Sequence, residues 1–323
     1  MGTPRNPWTA GPYKHLCCGG SSSGSGAVVA SHTVPCAVGT DTGGSVRLPA
    51  SFCGTVGLKT TKGMLPTDGI VPLSHTFDTP GPLARSVADA AIMCAAMMDA
   101  GEGATFMDQA ESAMKQGIAG LRLAVIGDTT RKLVTDAKQL EAFDRAVGVL
   151  RGLGAEITTY DYDTDAFKLS AISKYEGYYH HKEMAENPSS KMDDGIRAKM
   201  FQSKEVTLEE YVTWSLKRAP ALEAFIEGMG DRVALLSPTT ASRALEIDGI
   251  EDSTPIVPFT SFVNFLGICA ISVPTGPAID GEEMALPTSL QITCLPNDEI
   301  TALRIAKAYE TSRGPLARAP LSF

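Results

Sequence analysis

Residues Gly19 to Arg47 read GGSSSGSGAVVASHTVPCAVGTDTGGSVR, two Gly/Ser clusters on either side of a short apolar segment. Glycine takes positive φ without a Cβ penalty, so Gly19, Gly20 and Gly24 let the backbone fold closely around Ser21 and Ser22. Ala27-Val28-Val29-Ala30 suits a helix that starts after this loop and turns its unpaired N–H groups back toward the serines. The second cluster, Thr40-Asp41-Thr42-Gly43-Gly44-Ser45, follows the strand-like Val34 to Val38. A hydroxyl held among glycine amides supplies what acyl transfer requires: a nucleophile, and backbone donors aimed at a developing oxyanion.

Other readings of the stretch compete with that one. A flexible Gly/Ser linker would lack the apolar runs on both sides. A phosphate-cradling loop would need G-x-x-x-x-G-K-[ST], and no Lys follows either cluster. Gly20-Ser21-Ser22-Ser23-Gly24 also fits the G-x-S-x-G nucleophile elbow, which would make Ser22 the nucleophile of an α/β-hydrolase.

The whole stretch is more specific than any five-residue pattern, and it resembles the amidase signature family. Gly19-Gly20-Ser21-Ser22-Ser23-Gly24-Ser25 is similar to that family's GGSSGGS. Gly39 to Ala50 is similar to its GTDTGGSIRxPA, and Ser21 and Ser45 lie 24 residues apart, as the family spacing requires. The resemblance implies a Ser–Ser–Lys triad with Ser45 as nucleophile and Ser21 as a bridging serine on a cis peptide. It implies an oxyanion hole from the N–H groups of Thr42, Gly43, Gly44 and Ser45. Ser22 and the Asp41–Arg47 ion pair would support it. In the family the Lys lies several dozen residues before the bridging serine. Here Lys14 is the sole lysine upstream of Ser21, and Lys59 resembles a different, structural position. The expectation is therefore a chain N-terminally incomplete relative to the family, without its general base.

Further along, Pro49 to Lys59 is similar to the family's PAxxCGxxGLKPT, a helix end leading into a buried strand. Asp78-Thr79-Pro80-Gly81-Pro82 resembles a loop returning over the sheet, closing a turn-rich stretch from residue 60. Ser86 with Asp89 reads as an N-cap with a weak capping box. Leu121 to Ile126, Asp136 to Leu153 and Ala155 to Tyr160 read as strand, amphipathic helix and strand, an order that predicts a parallel crossover. Residues 163 to 230 read as helical and polar. His180 and His181 lie there as surface or capping residues, without the i, i+4 spacing of metal ligands. Phe262 to Gly276 and Ala285 to Ile292 resemble the family's FNxxGxPAxSxPxG and GLPxGxQ.

Composition reads as that of a soluble, globular chain. Hydrophobic residues make up 43% of 323, and the net charge of −9 argues against a nucleic-acid or anionic-membrane surface. The seven cysteines have no C-x-x-C and read as small buried thiols in a reducing, cytoplasmic setting. A zinc site from His15, Cys17 and Cys18 lacks a second ligand pair. No run of apolar residues is long enough to span a membrane.

The expected fold is α/β: one amidase signature domain over residues 1–323, a mixed β-sheet with helices on both faces. The expected activity is hydrolysis of a carboxylic amide or ester through an acyl-enzyme, with a small-molecule substrate and no cofactor or metal. A homo-oligomer is compatible with the sequence. The alternatives are the A-type component of a glutamyl-tRNA(Gln) or aspartyl-tRNA(Asn) amidotransferase, whose usual YGxVSRxG is missing from Thr61 to Gly69, or a catalytically silent or truncated member.

Overall fold

The computed structural model describes residues 2–9, 15–249, 257–277, 286–316 and 319. The first third of the chain runs α1 (Ser23–Ala30), β1 (Cys36–Asp41), α2 (Arg47–Cys53), β2 (Val56–Lys59), β3 (Thr79–Ala84), α3 (Val87–Ala96) and α4 (Ala100–Met114). A strand–helix unit follows: β4 (Arg122–Ile126), α5 (Asp128–Arg131), α6 (Ala137–Gly152) and β5 (Glu156–Tyr160). Next come the helices α7 (Leu169–Glu186), α8 (Asp194–Ser203), α9 (Leu208–Leu216) and α10 (Arg218–Met229). The chain returns through β6 (Ala234–Ser237), α11 (Ser261–Leu266), β7 (Ala270–Pro277), β8 (Pro287–Cys294) and α12 (Glu299–Arg313).

All eight strands form one mixed sheet in the order β1-β3-β2-β7-β8-β6-β4-β5. Among the described residues the parallel pairs are β4 with β5, as the strand–helix–strand pattern predicts, and β4 with β6. α6 forms where that pattern places it. Asp136 accepts the Lys138 N–H at 2.9 Å, Phe143, Val147 and Leu150 are buried, and Gly154 leaves the helix with φ 90°.

Period-two alternation on β8 explains how α2 sits. Ser289 and Gln291 point to one side, where Ser289 meets Ser51 of α2 at 2.7 Å and Gln291 meets Arg47 at 2.9 Å. Leu290 and Ile292, on the alternate positions, enter the main apolar core. α2 is seven residues long and every one is buried, so its terminal backbone groups must find partners inside the protein. Asn6 donates to the Phe52 carbonyl at 2.8 Å and the Trp8 indole donates to the Cys53 carbonyl at 2.9 Å. The turn Asn6-Pro7-Trp8, with its packed Trp, is what caps α2.

Three local expectations change. β1 begins at Cys36 rather than at Val34. Ser23, Gly24 and Ser25 are the first turn of α1 rather than loop, because Ser22 stands at the N-cap. The segment expected as a loop returning over the sheet is strand β3, despite Pro80 and Pro82. These prolines lie opposite Thr40 and Val38 of β1, at alternate positions where a strand turns its N–H away from that partner. A Cβ at Gly81 between them would stand 2.2 Å from the Leu58 carbonyl oxygen, so only glycine admits β2 there.

Candidate active site

The second Gly/Ser cluster is the turn between the end of β1 and the start of α2. Asp41, the last residue of β1, folds it: one carboxylate oxygen accepts the Gly44 N–H at 2.7 Å and the other accepts the Val46 and Arg47 N–H groups at 3.1 and 3.4 Å. Gly44 takes φ 135°, and a Cβ there would stand 2.5 Å from the Thr260 hydroxyl, so no other residue fits. Ser45 is left half-buried at the end of this turn.

The Asp41–Arg47 pair is present as expected, at 3.0 Å and with neither side chain exposed. Its further ligands went unread in the sequence. Arg47 also donates to Asn264 at 2.6 Å, to the Thr260 carbonyl at 3.0 Å and to Gln291, while Asn264 donates back to Asp41 at 2.9 Å. Asn264 and Gln291 are the Asn and Gln of the motifs in α11 and β8, so the signal was in the sequence but not its target. A buried ion pair is tolerated only when its remaining donors and acceptors are satisfied, and this one is. Burial works against ionisation of Asp41, but Arg47, Lys59 and Asn264 outweigh it and hold the carboxyl at about 2.

Lys59 is fully buried on β2, donating to the Thr60 and Ile268 carbonyls at 2.7 and 2.8 Å. Desolvation, reinforced by Arg47, lowers its pKa to about 8. It braces β2 against the loop before β7, in keeping with a structural position. Lys14 lies outside the described residues.

The first cluster is laid against the second. The Gly20–Ser21 peptide is cis, and the Ser22 N–H donates to the Ser45 carbonyl at 3.3 Å. The Ser22 hydroxyl bridges the Thr40 N–H at 3.2 Å and the Thr40 carbonyl at 3.3 Å, which ties the α1 N-terminus to β1. Ser21 itself is exposed beside this junction. Ser22 is thus occupied in holding the two loops together, which does not suit the elbow nucleophile of an α/β-hydrolase.

One expected oxyanion donor is corrected. The Gly44 N–H is committed to Asp41, because the carboxylate needs it to close the turn; Thr42, Gly43 and Ser45 are not engaged by that carboxylate. Leu169, at the start of α7, packs 3.7 Å from where a Gly43 Cβ would be, and borders the site. A cavity of about 300 Å³ lined by Trp8, Gly54, Arg85 and Arg313 lies at the opposite end of α2 and holds none of these serines. Among the described residues no group of three metal-binding side chains occurs and no helix is long and apolar enough to cross a membrane.

Two serine loops joined at the edge of a mixed sheet, one of them folded on a buried aspartate–arginine pair, define the class. The chain belongs to the Amidase family, whose model matches residues 1–303. It is 32% identical to the A-type component of the glutamyl-tRNA(Gln) amidotransferase of Geobacter metallireducens, over 96% of this chain and 70% of that one. It is equally 32% identical to the 2-amino-5-chloromuconic acid deaminase of Comamonas testosteroni, over 97% and 68%. A chain solved in an inhibitor-bound vestigial protein complex, connected with the origins of an s-triazine catabolic enzyme, superposes with a TM-score of 0.85 at 28% identity, covering 99% of this chain and 70% of that one.

Proposed function

We propose that the chain hydrolyses a carboxylic amide, or an ester, through an acyl-enzyme on Ser45. The observation that carries this reading is the turn that the Asp41 carboxylate closes through the Gly44, Val46 and Arg47 N–H groups, with Ser45 half-buried within it. The Ser45 oxygen attacks the carbonyl carbon and its proton passes to Ser21. Ser21 passes its own proton to a general base, the role that a lysine upstream of the bridging serine fills in a complete site of the family and for which no residue of this chain is assigned, and that proton goes on to the leaving amine. Water then reverses the sequence and frees the acid. Backbone N–H groups fixed before the reaction stabilise the oxyanion without reorganising, typically worth about 3 kcal/mol per donor. A relay lysine has to be neutral, which desolvation provides.

Assay against a panel of small amides and aryl esters tests the proposal. Ser45→Ala should fall to background with its circular dichroism unchanged. Ser21→Ala should lose roughly 10³-fold or more, since members of one triad act as a unit. Full turnover in Ser45→Ala would move the nucleophile elsewhere.

A second reading is supported by the 32% identity to the A-type component of an amidotransferase. The site would then release ammonia from glutamine for a partner protein. Glutaminase activity that appears only on co-purification with a B-type component would select it; amide hydrolysis by the chain alone selects the first.

A further inference from the structure

The turn that carries Ser45 has a second anchor, outside the two Gly/Ser clusters. The Thr42 hydroxyl donates to Asp78 at 2.5 Å, with both residues buried. The other oxygen of Asp78 accepts the Leu73 N–H at 2.7 Å and the Ser74 N–H at 2.9 Å. Asp78 thus joins the first residue of the Ser45 turn to a tight loop over residues 73–78. Its backbone carbonyl also takes the Lys62 ammonium at 2.8 Å.

That loop is gripped from the far side by Glu176, a buried carboxylate on α7. Glu176 accepts from the Ser74 hydroxyl, from the Thr76 hydroxyl at 2.5 Å and N–H at 3.2 Å, and from the Tyr211 hydroxyl at 3.2 Å. His75 lies 3.1 Å from it, and His181 reaches the Pro72 carbonyl at 2.6 Å. A carboxylate taken out of water needs its lone pairs filled, and the loop's hydroxyls and amide fill them. The helical insert therefore meets the Ser45 turn twice, through Leu169 at Gly43 and through the chain Glu176–Ser74–Asp78–Thr42.

We infer that Asp78 is a positioning residue for the Thr42–Ser45 turn, and that Glu176 makes the α7 insert part of the same unit. The inference rests on the reading of Ser45 as nucleophile for its effect on rate, but not for its effect on the backbone. Asp78 holds the Thr42 rotamer, and with it the direction of the amides that follow. A shift of about 1 Å in such groups costs on the order of 100-fold in rate.

The test compares Thr42→Val, Thr42→Ser and Asp78→Asn with the full chain. Two readouts are taken: the saturating rate and half-saturation concentration of fluorophosphonate labelling, and hydrogen exchange of the peptide covering residues 40–48. Thr42→Val and Asp78→Asn should label roughly 10- to 100-fold more slowly at saturation, with half-saturation within about twofold. Thr42→Ser should recover most of that loss, because it keeps the hydroxyl. The Thr42→Val/Asp78→Asn double variant should lose less than the product of the two single losses, because both act on one linked set of hydrogen bonds, Asp78 accepting from Leu73 and Ser74 as well as from Thr42. Exchange at residues 42–45 should quicken in Thr42→Val and return with Thr42→Ser. If the wild-type chain is not labelled on Ser45, the nucleophile reading fails and exchange alone decides the positioning role. Wild-type labelling and exchange in Thr42→Val, or equal losses in the Val and Ser variants, would overturn the inference.

Discussion

At the scale of single residues the site is set by Asp41, which does two things with one carboxylate. It closes the turn through backbone N–H groups and it neutralises Arg47 where both side chains are fully buried. Removing one partner leaves a buried charge unpaired, which costs about 3–5 kcal/mol. Arg47→Met should therefore lower the free energy of unfolding by that amount in urea titration; a change below about 1 kcal/mol would show that the pair is not bearing on the fold. Lys59 makes a prediction in pH. Its folded pKa is depressed to about 8 from an ordinary 10.5, so between those values the unfolded chain binds a proton that the folded one does not. Stability rises with pH wherever that holds. The wild type should gain on Lys59→Met as pH climbs from about 8 to 10.5, measured as the difference in urea midpoints. A flat difference would mean Lys59 keeps its charge in the fold. The serines, Asp41 and Arg47 were readable because residue type and spacing are constrained together. The three further partners of Arg47 were not, since they come from 213 to 244 residues away and nothing local marks a side chain's target.

At the scale of elements, α2 is the part on which the site turns, because its N-terminus begins just after Ser45 and its C-terminus ends at Gly54. Seven buried residues make too short a helix to persist on propensity alone. It stands because Gly54 adopts φ 69° and because Asn6 and Trp8 take its last carbonyls. Asn6 also donates to the Cys17 carbonyl and accepts the Trp8 N–H. Asn6→Ala should therefore cost about 1–3 kcal/mol, the penalty for leaving buried backbone groups unmade. A fall in melting temperature with Ser45 labelling kept at low temperature is the expected pair of results. An unchanged melting point would contradict the capping role. β3 shows the opposite case, an element that the sequence hid. Pro80, Gly81 and Pro82 are the residues of a turn, yet they form a strand here: the prolines take alternate positions opposite β1, and the Leu58 carbonyl leaves room at 81 for glycine alone. α4 also went unread, for its Gly101 and Gly103 weaken a helical pattern; a Cβ at Gly103 would stand 2.3 Å from the Ala95 carbonyl oxygen, so the glycine serves the packing of α3 on α4.

At the scale of the molecule, a sheet of eight strands among the described residues collects segments that are distant in sequence around one edge. β1 is an edge strand, and the two serine loops flank it. The rest of the sheet carries α11 and β8 to the ion pair beneath them. The order of the strand–helix unit was legible because hydrophobic periodicity is local; the class of fold was legible through the resemblance carried by the two Gly/Ser clusters. The sheet order and the grip of the α7 insert on the loop at 73–78 were not, because both depend on which distant surfaces meet. The relatives divide, at the same identity, between a deaminase and an amidotransferase component, so the substrate has to come from experiment on this chain. The measurement that reaches the central claim most directly is fluorophosphonate labelling of the folded chain followed by peptide mapping. The account predicts a single adduct on Ser45 that Ser45→Ala abolishes. An adduct on Ser22, or none on the folded wild-type chain, would contradict it.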